Sequence, residues 1–396
     1  FQMENEFIEG LKLVIGIIFI FITVIGLAGN AVVLFVIALN KQLHDSTNIL
    51  IANLALADLL FLTLCPPTSA YVYLFGWQFS ESLCYITVSL QYITCYVSVW
   101  TLVLLAYDRY LSISCPTQPK SIRRGHTVFY ACAALWIIPF LANLPQMRNV
   151  GVLAFEYNGK PTMICVDSIT IATDESTVAG ARTFYWFFNV FAYLLPLALS
   201  TVFYFLLVKL LWKQKIVQSK SSQRMKRHAT RMVFAVILTF GICWLPQNIR
   251  FFLRGLNYPG LSFWEYDPKP LMTVQATAQV LAYANSCTNP ILYGALSERF
   301  RTGLVIAVQK VFCCVDGNQT RIRKKYRGSL LLKSPLRRRS SFSTSRVASP
   351  AEELPKRLNE KESSSDYLRA PSVNSYQTTV YAEPINNETD GSVVLL

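Results

Sequence analysis

Long apolar runs separated by polar connections set the rhythm of this chain. They cover residues 13–39, 48–74, 83–115, 128–144, 183–211, 232–253 and 270–296. Each is close to the roughly 20 residues that an α-helix needs to cross a ~30 Å hydrocarbon core. The pattern predicts an all-α membrane protein, with a seven-transmembrane helix bundle over residues 13–297. Seven is odd, so the two chain ends fall on opposite sides. Residues 1–12 form an acidic leader without a basic n-region, and the run after them is too long for a signal peptide. The opening Phe1 suggests a start inside a longer reading frame. Base and apolar residues then alternate at helical spacing through SERFRTGLVIAVQKVFCC, which predicts an amphipathic helix on the membrane surface over 298–314. From 315 to 396 Ser, Arg, Glu and Pro prevail over large apolar residues, and a disordered tail is expected.

The third run sits at the centre of this scheme. Cys84, Val88, Gln91, Cys95, Ser98 and Leu102 recur at three- and four-residue spacing and share one face. Gln91 and Ser98 have no use for lipid, so that face turns into the bundle. Asp58 is a carboxylate at mid-membrane depth, and Asn30, Ser98, Asn285, Ser286 and Asn289 lie at similar depth. They predict a polar network around Asp58 that also holds Na⁺, with Asp58 and Ser98 as its hard oxygen ligands. A hydrogen-bond knot without an ion is the alternative. Pro196, Pro246 and Pro290 each remove a backbone hydrogen bond from a helix interior and predict hinges. Trp244, just before Pro246, is expected to point into the bundle.

The totals agree with the pattern. Of 396 residues 53% are hydrophobic and only 15% charged, where a soluble chain carries about a quarter. The net charge of +14 is concentrated in residues 209–231 and 321–346, so it reads as a basic membrane margin and not as a nucleic-acid surface. Connections one, three and five hold the Lys and Arg residues, which places the N-terminus outside and the C-terminus in the cytoplasm. The ten cysteines form no CxxC pair and no Cys/His cluster, so zinc is not expected. Only Cys84 and Cys165 fall at the outer margin, which admits one disulfide. His44, His126 and His228 lie at cytoplasmic margins with no HExxH, and no nucleophile–base set is visible, so an enzyme is not expected. A transporter would show paired repeats and several intramembrane charges; it remains the rival class.

Gly29-Asn30, Leu54 with Asp58, Cys84 with Asp108-Arg109-Tyr110, Trp136, Pro196 with Tyr204, Phe240 with Cys243-Trp244-Leu245-Pro246, and Asn289-Pro290-Ile291-Leu292-Tyr293 follow one another across residues 13–314. On these residues the chain resembles rhodopsin-like (class A) G-protein-coupled receptors. Gln91 stands where monoamine receptors carry an aspartate, and Tyr283 where light-sensing relatives carry the retinal lysine, so neither ligand is expected. Residues 94–113 and 279–301, with Trp77-Gln78-Phe79, resemble receptors for galanin and allatostatin A. The resemblance implies a plasma-membrane neuropeptide receptor acting on a heterotrimeric G protein of the inhibitory class. Receptors for somatostatin-, opioid- or kisspeptin-like peptides are the alternative within the class.

It also implies roles. A Cys84–Cys165 disulfide would hold a long loop as a lid. Tyr71, Trp77, Gln91, Tyr92, Tyr185, Asn189, Gln247, Asn248, Phe251, Arg254, Gln275 and Gln279 would meet the peptide, and an acid-rich outer face would attract a cationic one. Asp108, Arg109, Tyr110, Tyr204, Phe240, Trp244, Pro246, Pro290 and Tyr293 would form the activation switch. Lys226 stands where some relatives carry an acid that pairs with the arginine, which leaves Asp108 as the resting partner of Arg109. Cys313 and Cys314 suit palmitoylation. Ser340, Ser341, Ser343, Thr344 and Ser345 suit receptor kinases and, once phosphorylated, an arrestin. Membrane lipid is the remaining partner.

Overall fold

The computed structural model describes residues 2–114, 125–147, 150–157, 160–167, 175–213, 220–256 and 268–316. The tail from 317, with the serines and threonine at 340–345, lies outside them, as do the side chains of Lys226, Arg254, Cys313 and Cys314. The helices are α1 (Gln2–Leu39), α2 (Ser46–Phe75), α3 (Glu81–Ser114), α4 (Gly125–Met147), α5 (residues 175–213), α6 (Lys220–Gly255), α7 (Pro268–Leu296) and α8 (Glu298–Asp316). Around the bundle, α1 packs on α2, α2 on α3, α3 on α5, α5 on α6, α6 on α7, and α7 back on α1. Helix α3 also touches α4 and α6, so it is the central member.

Six of the described helices are long and apolar enough to cross a membrane by themselves. Helix α7 is not, because it carries Gln275, Asn285, Ser286 and Asn289 on a face that is 2–6% exposed. Its polar side chains turn inward, so bundle packing and not hydropathy holds it. Phe21, Phe129, Ile138 and Phe205 do the opposite and stay exposed on the outer surface of the bundle. That is where lipid replaces water as solvent.

Local chemistry explains the ends of α2. The Asp45 carboxylate accepts from the Asn48 backbone N–H at 3.0 Å and caps the first turn. Gly76 ends the helix at φ 73, a conformation that favours glycine, and its N–H reaches the Val72 carbonyl at 3.0 Å. Close approach governs the α1–α2–α7 contact. A Cβ on Gly26 would lie 2.5 Å from Leu62 Cδ1 and 2.8 Å from Cys287 Sγ.

Helix α5 runs Glu175–Asn189, then a π-turn over Val190–Leu194, then Leu195–Lys213. Within the π-turn the Leu195 N–H reaches back to the Val190 carbonyl. The next partner in that register would be Pro196 to Phe191, and proline has no N–H. Trp100 of α3 fills the place: its Nε1 donates to the Phe191 carbonyl at 3.1 Å. The expected hinge at Pro196 is thus a widened turn with a donor borrowed from a neighbouring helix.

The long connection from α4 to α5 contains a β-hairpin. It pairs β1 (Val150–Tyr157) antiparallel with β2 (Lys160–Asp167), in register from Val150↔Asp167 to Tyr157↔Lys160. A disulfide joins Cys84 to Cys165, with Cα atoms 5.5 Å apart. The Trp77 N–H donates to the Met163 carbonyl at 3.0 Å, which ties the α2–α3 turn to the same hairpin. At the other end of the bundle Ser297 opens α8, its Oγ accepting from Phe300 N at 3.2 Å. Asn40 Nδ2 donates to the Gly303 carbonyl at 3.0 Å and fastens α8 to the end of α1.

Candidate functional site

A cavity of about 140 Å³ opens between α2, α3, α5, α6 and α7 at the disulfide end. Trp77 and Cys165 border its mouth and Trp244 its floor. One wall is aromatic. The rings of Tyr185 and Phe188 each lie 5.3 Å from Phe251, and Tyr92 lies 5.7 Å from Phe188. The opposite side is polar: Tyr73 donates to Gln279 Oε1 at 2.9 Å, and the Ser69 and Tyr283 hydroxyls are 3.0 Å apart. Such a mixture can grip an apolar side chain and orient it by a few hydrogen bonds.

Of the residues singled out for a ligand, Trp77, Gln91, Tyr92, Tyr185, Gln247, Phe251 and Gln279 line this cavity. Others do not. The Tyr71 hydroxyl donates to Gln78 at 2.8 Å, and its ring packs on Phe75 and Phe79, so it braces the α2–α3 turn. Asn189 turns back on its own helix and donates to the Tyr185 carbonyl at 2.8 Å; Asn248 does the same to Trp244 at 2.9 Å. Gln275 is buried in α7 away from the lining. Sequence reasoning missed Tyr73, Thr87, Phe188, Arg250 and Tyr283 as lining residues. Arg250 was within reach of it, one turn from Arg254 on the α6 face that continues from Gln247.

Below Trp244 lies the predicted polar network. Asp58, 1% exposed, accepts from Ser286 Oγ at 2.8 Å on one oxygen and from Asn289 Nδ2 at 2.9 Å on the other. Asn30 Nδ2 donates to the Ser286 and Gly26 carbonyls at 3.0 and 2.9 Å, so α1, α2 and α7 meet at one knot. Ser98 and Asn285 line a space of about 10 Å³ beside Asp58, together with Thr94. That is room for one water-sized body. A carboxylate with hydroxyl and amide oxygens around such a space is a donor set that fits Na⁺. Trp244 and Cys95 border both the small space and the large cavity.

At the Arg109 end, Asp108 accepts from Ser46 Oγ at 2.6 Å and from Thr47 Oγ1. Both its oxygens are thus engaged by the first turn of α2. Arg109 itself is half-buried on α3. Tyr110 lies 6.3 Å from Phe203, and Tyr204 stacks on Phe234 at 4.7 Å, joining α5 to α6. Phe240 lies 6.1 Å from Trp244, one turn before the Pro246 interruption. Pro290 interrupts α7 between the Asp58 knot and Tyr293. Tyr293 is 1% exposed and packs on Phe300 at 6.3 Å, yet its hydroxyl has no hydrogen-bond partner among the described residues.

Residues 29–293 match the family described as 7 transmembrane receptor (rhodopsin family). The chain is 36% identical over 322 residues to a galanin-like G-protein coupled receptor of Caenorhabditis elegans, covering 76% of this chain and 74% of that one. It is 34% identical over 304 residues to an allatostatin-A receptor of Bombyx mori, covering 76% and 80%. To galanin receptor 2a of Danio rerio it is 29% identical over 318 residues, covering 78% and 80%.

Proposed function

The chain belongs to the rhodopsin family of seven-transmembrane receptors, and on that premise we propose that it is a cell-surface receptor for a neuropeptide of the galanin or allatostatin-A type. It is a multi-pass membrane receptor and not an enzyme. The signal passes to a heterotrimeric G protein, in our reading one of the inhibitory class. The disulfide end faces outward and the Arg109 end faces the cytoplasm, an orientation supported by the Lys and Arg residues of connections one, three and five.

The observation that carries the reading is the position of Trp244 between two spaces, the large cavity above and the Asp58 knot below. A peptide end seated above can favour one Trp244 position over another. The ligand then biases two packings of one bundle by its differential affinity, and a few kcal/mol suffice. The described packing is the resting one; the buried Tyr293 hydroxyl without a partner is a group whose partner belongs to the other packing. In that other packing α6 swings outward about Pro246, and Arg109, Tyr204 and Tyr293 line a cleft for the end of a Gα subunit. Sodium, when bound, supplies a positive charge beside the Asp58 carboxylate. Asp58, Ser98 and Ser286 would hold it, and their place in the α2–α3–α7 contact ties that contact together. Phosphorylation at 340–345 would recruit arrestin, and acylation of Cys313 and Cys314 would hold α8 to lipid.

The test is nucleotide exchange on added Gα in membranes carrying the full chain, with galanin and allatostatin-A peptides. Concentration-dependent exchange with one of them is expected. Flux of solute without any exchange would move the chain to the transporter class.

A further inference from the structure

Glycine in a helix interior needs a reason, because alanine at the same place holds the helix better. Close approach is the reason at several positions. A Cβ on Gly29 would lie 3.0 Å from Pro290 Cβ, one on Gly255 2.5 Å from Trp186 Cδ1, and one on Gly303 2.8 Å from Leu43 Cδ1. Gly294 is different. It is half-buried in α7 directly after Tyr293, its φ is not in the left-handed region, and an added Cβ would meet nothing within 4 Å. Gly10 and Gly180 share such open surroundings, but both are exposed near the beginnings of α1 and α5. What Gly294 brings to α7 is therefore softness alone.

Helix α1 holds α7 and α8 on either side of this point. Pro290 has no N–H to offer the Ser286 carbonyl, and Asn30 Nδ2 donates to that carbonyl at 3.0 Å. Cys287 Sγ donates to the Ile22 carbonyl at 3.1 Å. Beyond Gly294, Asn40 Nδ2 donates to the Gly303 carbonyl at 3.0 Å. Asn40 stands at the end of α1, about 15 Å further along than Asn30 at 1.5 Å per residue. The helix is thus a splint laid across the soft point. Between the two holds lies Tyr293, buried and with its hydroxyl unpartnered among the described residues. A segment held at both ends rearranges by bending between them.

On the reading of the chain as a receptor acting on a G protein, we infer that Gly294 is a positioning residue for that activity. It is the joint at which residues 291–297 bend between two fixed holds on α1, and through it Tyr293 changes place. The splint concentrates the change there. Without the hold at Gly303, α8 would be free to slide and the segment would no longer need its joint.

The experiment takes three readings from the full chain. They are nucleotide exchange on added Gα in membranes, with and without galanin and allatostatin-A peptides, melting in detergent, and amide hydrogen exchange across α7. Cell-surface amount is measured in parallel for every variant. Gly294→Ala meets no steric obstacle, so it should melt at a higher temperature. It should also slow nucleotide exchange by about fivefold, the effect of one glycine-to-alanine step in a helix on a two-state population. Protection of the 291–297 amides should rise by the same factor while that of 283–289 stays as it was. Gly180→Ala makes the same chemical change in equally open surroundings and should also melt at a higher temperature, with nucleotide exchange unaltered. In an Asn40→Ala background, Gly294→Ala should change nucleotide exchange by less than about twofold. A Gly294→Ala receptor that reaches the surface and exchanges at the wild-type rate overturns the inference. So does the full loss in the Asn40→Ala background, or an equal loss in Gly180→Ala. A wild type that drives no exchange with either peptide removes the receptor reading instead. Hydrogen exchange, read without a G protein, then decides the joint: unchanged 291–297 protection in Gly294→Ala overturns it, and raised protection keeps it.

Discussion

The Tyr193 hydroxyl donates to the backbone carbonyl of Gly241 at 2.8 Å, joining the π-turn of α5 to α6 one turn before Trp244. Its ring also lies 6.0 Å from Phe240. An outward swing of α6 about Pro246 must break this bond. Tyr193→Phe keeps the ring and deletes only the donor, at about 1 kcal/mol, which moves a two-state population by about fivefold. Basal nucleotide exchange of the variant in membranes is therefore expected to rise by that order. Unchanged basal exchange at equal surface amount would show that Tyr193 does not hold the resting packing.

Trp100 and Pro196 form a second pair whose coupling can be measured. Trp100→Phe removes the donor to the Phe191 carbonyl and is expected to cost about 1–3 kcal/mol of stability. Pro196→Ala returns a backbone N–H to the helix, so the same Trp100→Phe change should cost less in that background. Thermal denaturation of the four purified proteins in detergent reads the cycle. Strictly additive shifts would mean that Trp100 does not substitute for the missing N–H.

The Asp58 knot predicts a response to sodium. Asn at position 58 keeps the size but offers one acceptor and one donor where Asp58 offers two acceptors to Ser286 and Asn289. In the wild type, replacing N-methylglucamine by sodium at constant ionic strength should weaken agonist binding, because the ion stabilises the resting packing. In Asp58→Asn the two salts should give one curve. A sodium effect of equal size in the variant would remove the ion from this site.

Much of this architecture was legible from residue order, and the reasons differ from element to element. Seven apolar runs announced seven helices because a bilayer leaves backbone groups only each other as partners. Asp58, Asn30, Ser286 and Asn289 were legible because a buried carboxylate needs donors, and the three side chains lie at its depth. The hairpin was missed although Asn158-Gly159, the dipeptide that favours two-residue hairpin turns, stands between Tyr157 and Lys160. Helical spacing everywhere else drew attention away from it. The π-turn could not be foreseen, since Pro196 predicts a disturbance but not whether the turn widens or kinks. That Asn189 and Asn248 donate to their own helix was hidden for a related reason. In an apolar helix an amide can satisfy itself on the carbonyl one turn back, and periodicity alone does not reveal which choice it makes.

Tyr293 offers the sharpest separation of stability from signalling. Its buried hydroxyl has no partner among the described residues, and such a group costs about 1–3 kcal/mol. Tyr293→Phe should leave the melting temperature unchanged or raise it, while lowering peptide-driven exchange. A variant that melts earlier would indicate that the hydroxyl is already bonded at rest.

Because Trp244 and Cys95 wall both the upper cavity and the space beside Asp58, the two volumes share a partition. Thermodynamics then requires a symmetrical account: whatever factor an occupant of the lower space takes from affinity above, an occupant of the upper one must take from affinity below. Sodium sensitivity and ligand sensitivity would be one quantity, measurable from either end of the wall.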